Sequence, residues 1–490
     1  VFHCKGVGGQ GGGIAATDWE KFYQFDSTKM KLFPVLAARE ATVPYARELD
    51  ELAQARSARS IRTVLDEQKW SDGPSLHAAL DDRNAADFAG LMQMVALQEE
   101  LDWLCYALYD LDAESDIVAP DDVEPCLPTW LPWNLAFAER DLGVRDALTR
   151  GEEPGEQPSV WWERHGWEPL TELPKEASTA LKRRAEARRA RIAATPALLL
   201  IEAASFKRRW YKPDYKTEEK QALRLWLAER VESATRERGQ TSTVEQLVAS
   251  LQDDPGVLAV CEVLTGRRDF SLSQLVADCL FNDAVPQHPY HGYKRTGLVK
   301  REVWERTWDD QRREDAGEEV TTEVPPAYKS TDFLRTGYWR LRGKLGVPKE
   351  RFIAFTEVPG RDGAATLYGW AGWTPLERLR AILSIDEALE DSGVPLADRI
   401  ALLDSAWRLL PDVAREDPTA ASRLKAELQA LVGTEGPSKE MLDDWRERFP
   451  PPGGRGSRKN GASAKKSSGR KKRSAKKKAE PDKADVQEES

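Results

Sequence analysis

Residues 328–373 read YKSTDFLRTGYWRLRGKLGVPKERFIAFTEVPGRDGAATLYGWAGW. This stretch holds eight Lys or Arg and four Asp or Glu, although the whole chain has a formal net charge of -10. Tyr338, Trp339 and Phe352 lie among the basic residues. Cations beside flat apolar rings are typical of surfaces that contact phosphates and bases, although a core segment with a solvated rim has the same pattern.

The second half of this stretch predicts a β-hairpin. Residues 351–356 and 366–373 are rich in aromatic and β-favouring residues, and they flank a turn-like segment at 359–363. Thr374, Pro375 and Glu377 then form a helix-start signal, because Thr caps, Pro suits the first helical position and Glu completes a capping box. We expect three or four helices to follow, the second of which ends before Pro411.

Helices are also predicted upstream. Apolar residues between Met94 and Leu111 recur at spacings of three and four, which places one apolar stripe on a helix at 84–111. Residues 45–65 predict a second helix, so we expect an antiparallel pair. Prolines interrupt 113–175, which we expect to be a connector with short helices. Further helical stripes continue to residue 316.

Two more basic clusters lie in this helical part. Arg184, Arg188 and Arg191 share one face of a helix at 180–192, which either attracts phosphate or is a solvated face. A second cluster mixes cations with aromatic rings, which is the better nucleic-acid pattern; it consists of Lys207, Arg208, Arg209 and Lys212 around Trp210, Tyr211 and Tyr215. From both the central stretch and this second cluster, the candidate DNA-contact residues are Arg335, Tyr338, Trp339, Arg340, Arg342, Lys344, Lys349, Arg351, Arg208, Arg209 and Trp210.

Composition is that of a soluble, helix-rich protein of several domains, with 490 residues, 40% hydrophobic and 31% charged. No apolar run approaches the roughly 20 residues of a membrane span, and no secretion signal opens the chain. Five scattered cysteines, an odd number, do not form a disulfide framework. We therefore expect a cytoplasmic protein without membrane contact.

These patterns predict a mainly α fold with a smaller β-containing segment (α+β), in several helical lobes. The expected divisions are the end of an upstream lobe (1–40), a long helical hairpin (41–112), a Pro/Trp-rich connector (113–175), a helical domain with basic clusters (176–320), a basic and aromatic segment containing the β-hairpin (321–375), a helical end domain (376–449) and a tail (450–490). The tail is Lys-rich and then acidic, and without apolar residues to bury it should be disordered.

Several stretches also carry a family resemblance. They are 338–345 (YWRLRGKL), 347–353 (VPKERFI), 369–373 (GWAGW), 4–35, 94–111 and 300–318. Together they resemble the C-terminal region of PglX, the adenine-specific DNA methyltransferase family of phage-growth-limitation (BREX type 2) defence systems. The resemblance covers about residues 1–450. It implies double-stranded DNA, a catalytic methyltransferase lobe or chain, and other phage-defence proteins as partners, with S-adenosylmethionine as cofactor of the intact enzyme.

The chemistry of such an enzyme is not found in this sequence. Adenine methyltransferases hold the target base with an Asn or Asp, Pro, Pro, aromatic motif, and the Pro-Pro pairs at 325–326 and 450–451 lack the required neighbours. Gly6, Gly8 and Gly11 formally fit a dinucleotide fingerprint, but only five residues precede them and so glycine-rich a run fits many patterns by chance, so a flexible loop is the expected structure. Cys279, His288 and His291 match no zinc spacing. We therefore predict no catalytic residue, no metal site and no cofactor bound by this chain.

Three hypotheses follow for the function. The chain is the target-recognition part of a methyltransferase whose catalytic lobe lies elsewhere, a stand-alone DNA-binding protein of a defence island, or a helical scaffold for other proteins. A neighbouring reading frame with the Asn-Pro-Pro-aromatic motif would favour the first.

Overall fold

The computed structural model describes residues 37–67, 70–112, 116–343, 350–359 and 366–450, with short pieces at 4–5, 22–23 and 31. The predicted tail, the glycine-rich segment and the side chains of Arg342, Lys344 and Lys349 lie outside the described residues.

The described part of the chain is mainly α-helical with a small sheet, which confirms the predicted fold class. Its helices are α1 (Val43–Ala58), α2 (Ile61–Glu67), α3 (Gly73–Leu108), α4 (Pro132–Thr149), α5 (Trp161–His165), α6 (Thr179–Ala194), α7 (Pro196–Ile201), α8 (Tyr215–Arg238), α9 (Val244–Leu251), α10 (Pro255–Thr265), α11 (Leu272–Asp283), α12 (Arg295–Asp315), α13 (Thr336–Tyr338, continued by a π-helical turn at Trp339–Gly343), α14 (Pro375–Asp391), α15 (Leu396–Glu416), α16 (Pro418–Val432) and α17 (Lys439–Arg448). Its strands are β1 (Cys4–Lys5), β2 (Phe22–Tyr23), β3 (Ala284–Pro286), β4 (Phe352–Phe355) and β5 (Leu367–Trp370).

The predicted helical pair is present as α1 packed on α3. The long helix begins at Gly73 rather than near residue 84, because Asp72 caps it by accepting a hydrogen bond from the Ser75 amide at 2.8 Å. The other helix of the predicted pair, expected at 45–65, is interrupted after Ala58 and forms two separate helices, α1 and α2. The two ends of α3 enter different cores, and this helix therefore braces two lobes against each other.

The first lobe consists of α1, the C-terminal half of α3 and α4–α7. Its core includes Leu97, Trp103, Trp133, Trp161 and Trp210. The segment expected to be a connector of short helices contains the 18-residue helix α4, and its tryptophans pack in this core. Prolines at the start of a helix are compatible with it, since the first helical amide needs no partner.

The middle lobe joins α2, the start of α3 and α8–α11 to one face of the sheet. In this sheet, β4 pairs in parallel with β3 and antiparallel with β5, which confirms the hairpin. Successive side chains of a strand point to opposite faces. Phe352 and Ala354 therefore pack in the middle lobe, whereas Ile353 and Phe355 pack against the end domain. Strand β3 was not predicted, because three residues are too short to show an alternating pattern.

The end domain consists of α14–α17, within the expected number of helices. The capping box of Thr374 and Glu377 is formed as predicted. Helix α15 runs past Pro411 to Glu416, so the prediction that it ends before the proline was wrong. Val413, fully buried in the core of the domain, accounts for the extra turn, because packing can offset the one amide hydrogen bond that proline removes.

Candidate nucleic-acid interface and the adjoining cavity

Three predicted contact residues lie together on α13 and its approach. Arg335 is half-buried, and its guanidinium carbon lies 3.7 Å from the ring centroid of Phe281 and 4.8 Å from that of Tyr338. Its Nη2 donates to the Phe281 carbonyl at 2.8 Å. Tyr338 is buried in a small core with Phe333, on which Trp339 packs. The structure therefore places the two aromatic residues mainly in packing roles and leaves Arg335 at a partly open position.

Arg340 and Arg351 line one cleft of about 950 Å³ between α8 and α11, with opposite surroundings. Arg340 is exposed, and it forms no ion pair with any described residue. Arg351 is bonded to Asp283 at 2.8 Å and to Glu232 at 3.2 Å. Its charge is therefore used to tie β4 to α8 and α11, and Arg340 is the member of the pair that a phosphate can reach.

The second predicted cluster belongs to the first lobe. Arg208 is exposed and lies over the ring of Trp210, with 4.5 Å from its guanidinium carbon to the ring centroid. Arg209 is half-buried, and Trp210 is buried in the core of the lobe. Lys207, which precedes them, is also buried. In this cluster, Arg208 combines exposure with an aromatic neighbour, and so does Lys212, whose Nζ lies 6.0 Å from the ring centroid of Trp167.

The arginine face of α6 turns inward, which neither of the two alternatives anticipated. Arg188 is 1% exposed and donates to both Glu100 carboxylate oxygens, at 2.9 and 2.8 Å. Arg191 pairs with Asp116 at 2.8 Å. Lys207 pairs with Asp102 at 2.6 Å and with Glu202 at 2.7 Å in the same region. We call these residues the buried ion network; it joins α6 and the 202–207 segment to α3.

A cavity of about 800 Å³ lies among α11, α13, the sheet and the end of α17. Its aromatic wall consists of Phe281, Tyr338, Tyr368, Trp445 and Phe449. Its polar lining includes His291, Thr356, Glu357, Arg335 and Arg448. Apolar cavities of this size with a few convergent polar groups are typical of small-molecule and cofactor sites.

Two polar groups of the cavity have an unused atom. His291 is 5% exposed and shares a hydrogen bond of 2.8 Å between its Nδ1 and the Thr356 hydroxyl, while its Nε2 has no partner among the described residues. Glu357 is 1% exposed and accepts from the Ser405 hydroxyl at 3.1 Å, while its Oε2 likewise has no partner there. A buried polar atom without a partner is unfavourable by about 1–3 kcal/mol, so a ligand that contacts these two atoms would gain from satisfying them.

Burial keeps both groups uncharged near neutral pH. It raises the pKa of Glu357 to about 8, and the nearby Asp404 carboxylate adds to the rise. The backbone amides of Glu357 and His288 and the Ser405 hydroxyl favour the charged carboxylate and partly oppose it. Burial and the neighbouring His288 lower the pKa of His291 to about 4. Glu357 is therefore a neutral acid that can donate a proton in a hydrogen bond, and His291 is a neutral imidazole.

The adjacent His288 is satisfied and belongs to the scaffold. Its Nδ1 accepts from the Tyr290 amide at 3.3 Å, so its Nε2 carries the proton and donates to Asp404 at 2.9 Å. The sequence pattern drew attention to His288 and His291 only as metal ligands. Among the described residues, no group of three or more His, Cys, Asp or Glu is placed to hold a metal ion.

Sequence reasoning missed the cavity because its lining comes from six separate segments between Phe281 and Pro450. Glu357 gave no local signal, since one acid after an apolar strand is an ordinary feature of a hairpin.

Within the described ranges, no helix has the length and apolarity needed to cross a membrane.

Comparisons with known proteins agree with the sequence resemblance. The chain is 33% identical over 391 residues to the adenine-specific methyltransferase PglX of Streptomyces coelicolor, and the match covers 77% of this chain and 31% of that protein. The chain thus spans about a third of the length of this relative. No solved structure matches the chain. A profile for a family described as a domain of unknown function, DUF7008, matches residues 94–459. Because this match covers more than half of the 490 residues, the chain belongs to the DUF7008 family and is related to PglX.

Proposed function

We propose that this chain is the C-terminal target-recognition and DNA-binding part of a site-specific adenine-N6 DNA methyltransferase of a bacterial anti-phage (BREX type 2) system. The observation that carries the proposal is the 33% identity to an adenine-specific methyltransferase over 77% of the chain. Methyl transfer then occurs in a lobe outside these 490 residues, because the sequence has no Asn/Asp-Pro-Pro-aromatic motif to hold a target adenine. S-adenosylmethionine binds that lobe.

The distribution of charge supports DNA contact near α13. Arg340 is exposed in a cleft lined by Lys220 and Arg224 and also by three acids, Glu229, Asp278 and Asp283. Arg342, Lys344 and Lys349 follow Arg340 in the sequence and make this stretch basic. Lys and Arg that neutralise phosphates release counterions, so such a surface gives affinity that falls steeply with salt. Arg335 and Arg208 add cations beside aromatic rings, a combination suited to contacts with bases or sugars.

Filter binding of duplex DNA at two salt concentrations tests this surface. We expect weak binding by the full chain, with a steep dependence on salt. The triple variant Arg340→Glu, Arg342→Glu, Lys344→Glu should weaken binding at both concentrations and reduce the slope of affinity against salt by about three, since each phosphate contact contributes roughly one.

The matched control reverses three exposed cations of the end domain, Arg423, Lys425 and Lys439, to glutamate. It changes the net charge by the same amount without touching the proposed surface. A second control removes the tail after residue 450, which should lower non-specific binding only. Equal loss from the central variant and either control would remove the central cluster as the DNA contact.

A separate experiment tests the division of labour between lobes. The purified chain should incorporate no labelled methyl group from S-adenosylmethionine into DNA, because it lacks the motif that holds the adenine. Methyl incorporation by this chain alone would contradict the proposal. Addition of a catalytic methyltransferase lobe or chain should restore methyl transfer in the assay. We place this assembly in the bacterial cytoplasm and propose other phage-defence proteins as further partners.

A further inference from the structure

Two neutral hydrogen-bonding groups, those of His291 and Glu357, line the cavity beside β4. Thr356 and Glu357 follow the strand directly, and the Thr356 hydroxyl is the partner of His291 Nδ1 at 2.8 Å. His291 Nε2 and Glu357 Oε2 are the atoms without partners among the described residues. One is on an imidazole and the other on a carboxyl group, so together they suit a ligand edge that presents both a donor and an acceptor.

The scaffold holds these groups in place independently of any ligand. His288 is fixed by Asp404, and the Ser405 hydroxyl, one residue further along α15, fixes Glu357 Oε1 at 3.1 Å. Trp445 packs against the His291 ring, with 5.4 Å between centroids. The unused atoms are therefore held at defined positions, which is the arrangement of a preorganised binding site.

The walls of the cavity define the remaining chemistry of the ligand. Phe281, Tyr338, Tyr368 and Phe449 supply flat apolar surfaces, which suit a planar aromatic ring. Arg335 lies between the rings of Phe281 and Tyr338 and uses Nη1 and Nη2 for single hydrogen bonds. Guanidinium has five N–H donors, so Arg335 retains donors for an anionic group such as phosphate. Arg448 is a second cation of the cavity, although it is paired with Asp398 and Asp444.

A planar ring with mixed donors and acceptors on its edge, attached to an anion, is a nucleotide. We propose that this cavity is a nucleobase-binding site that takes one base with its phosphate, either from a free nucleotide or from a base turned out of a DNA strand. Bases outside a helix are held by hydrogen bonds to their edges and by stacking on aromatic side chains, and the cavity offers both. The DNA source rests on the proposed function, whereas the free nucleotide does not.

Calorimetric titration of the full chain with the four deoxynucleoside monophosphates tests the free source, with deoxyribose phosphate as the control that lacks a base. A duplex carrying one unpaired base opposite an abasic position, compared with the fully paired duplex, tests the DNA source. We expect at least one nucleotide to bind and the sugar phosphate not to bind, or the duplex with the unpaired base to bind more tightly than the paired one.

Two variants locate the site. Phe281→Ala removes an exposed wall ring, and Leu334→Trp fills the cavity with a larger side chain instead of emptying a core. Each should weaken binding by about tenfold or more, the usual effect of removing a stacking partner. The control Phe206→Ala removes a similarly exposed ring in the chain segment that leads to the buried ion network, and it should leave binding unchanged.

Each outcome decides the proposal. Nucleotide binding that both variants weaken, or selective binding of the unpaired base that both weaken, supports it and identifies the source. Equal binding of the sugar phosphate, binding that neither variant changes, or no binding in both arms overturns it. Failure of the proposed DNA surface is seen separately, because the Arg340, Arg342 and Lys344 variant changes salt-dependent duplex binding and leaves nucleotide binding unchanged.

Discussion

The buried ion network of the first lobe and the cavity beside the sheet both contain buried ionisable groups, but they differ in how those groups are hydrogen-bonded. Arg188 and Lys207 are each surrounded by carboxylates at hydrogen-bonding distance. His291 and Glu357 each keep an atom without a partner among the described residues, beside an open volume of about 800 Å³. Glu202 Oε2 in the network also lacks a hydrogen-bond partner among the described residues, but the Lys207 ammonium neutralises its carboxylate. Buried charges held among opposite charges stabilise the fold, whereas unpartnered polar atoms that line an open cavity are available to a ligand.

The largest expected effect is at Arg188. Replacement by Met leaves the buried Glu100 without its main cation and removes the second cation near Glu99, and breaking such a buried pair costs about 3–5 kcal/mol. It also removes the contact of the guanidinium with the Trp103 ring. Denaturant unfolding followed by tryptophan fluorescence measures the loss. Arg183→Met on the exposed side of the same helix is the control and should stay within about 0.5 kcal/mol of the parent. Similar values for the two variants would show that the network does not stabilise the lobe.

Glu357 should make the free energy of unfolding depend on pH. Its pKa rises from an ordinary value of 4.5 to about 8 on folding, so the folded state keeps a proton that the unfolded state loses. The stability that this proton contributes is complete below about pH 4.5 and is lost as pH rises to about 8. Glu357→Gln lacks this titration. The free energy of unfolding of Glu357→Gln minus that of the parent should therefore increase by about 2 kcal/mol from pH 5 to pH 8.5. One pKa unit corresponds to about 1.4 kcal/mol, and relaxation of the site reduces the full effect.

Chemical denaturation of both proteins at the two pH values measures this difference. Other buried acids also contribute to the parent's pH dependence: burial raises the pKa of Glu99 to about 7, and it raises the pKa of Asp386 as well. These groups are present in both proteins, so their contributions cancel in the difference. Parallel pH profiles would mean that Glu357 is ionised at neutral pH, and its role as a neutral donor would be lost.

Arg351 and Arg340 sharpen the same contrast within one cleft. Arg351→Met should destabilise the protein by about 1.5 kcal/mol, because Asp283 and Glu232 lose charged hydrogen-bond partners. It should change duplex binding little. Arg340→Met should do the reverse: its free energy of unfolding should stay within about 0.5 kcal/mol of the parent, and its affinity for duplex DNA should fall. Thermal unfolding and filter binding on both variants check this. Weaker DNA binding with unchanged stability in the Arg351 variant would return that residue to the DNA-contact set.

The smallest expected effect on stability is at Phe281. Its side chain is 59% exposed, so Phe281→Ala should change the free energy of unfolding by no more than about 0.5 kcal/mol. The same variant is expected to weaken nucleotide binding, and the combination would separate a binding role from a structural one. A large loss of stability would instead place this ring in the fold, in contrast to its exposure.

Local patterns were sufficient for most elements of the fold. The leucine stripe of α3, the hairpin of β4 and β5 and the capping box at Thr374 all depend on neighbours within a few residues, and the structure confirms each. Patterns failed where distant packing outweighed the local preference. Val413 extends α15 beyond Pro411, and β3 exists only because β4 supplies its partner more than sixty residues later in the chain.

The helical character, the hairpin and the family could be read from residue order, because each depends on patterns within short stretches of the chain. Residue order did not determine which cations face water, since Arg184 and Arg188 have the composition of a phosphate-binding face yet contact the acids of α3. Only tertiary structure decided that, and only tertiary structure brought His291, Glu357 and Trp445 to one cavity. The physical reason is that charge pairing and burial depend on distances between segments far apart in the chain, which periodicity within a segment does not specify.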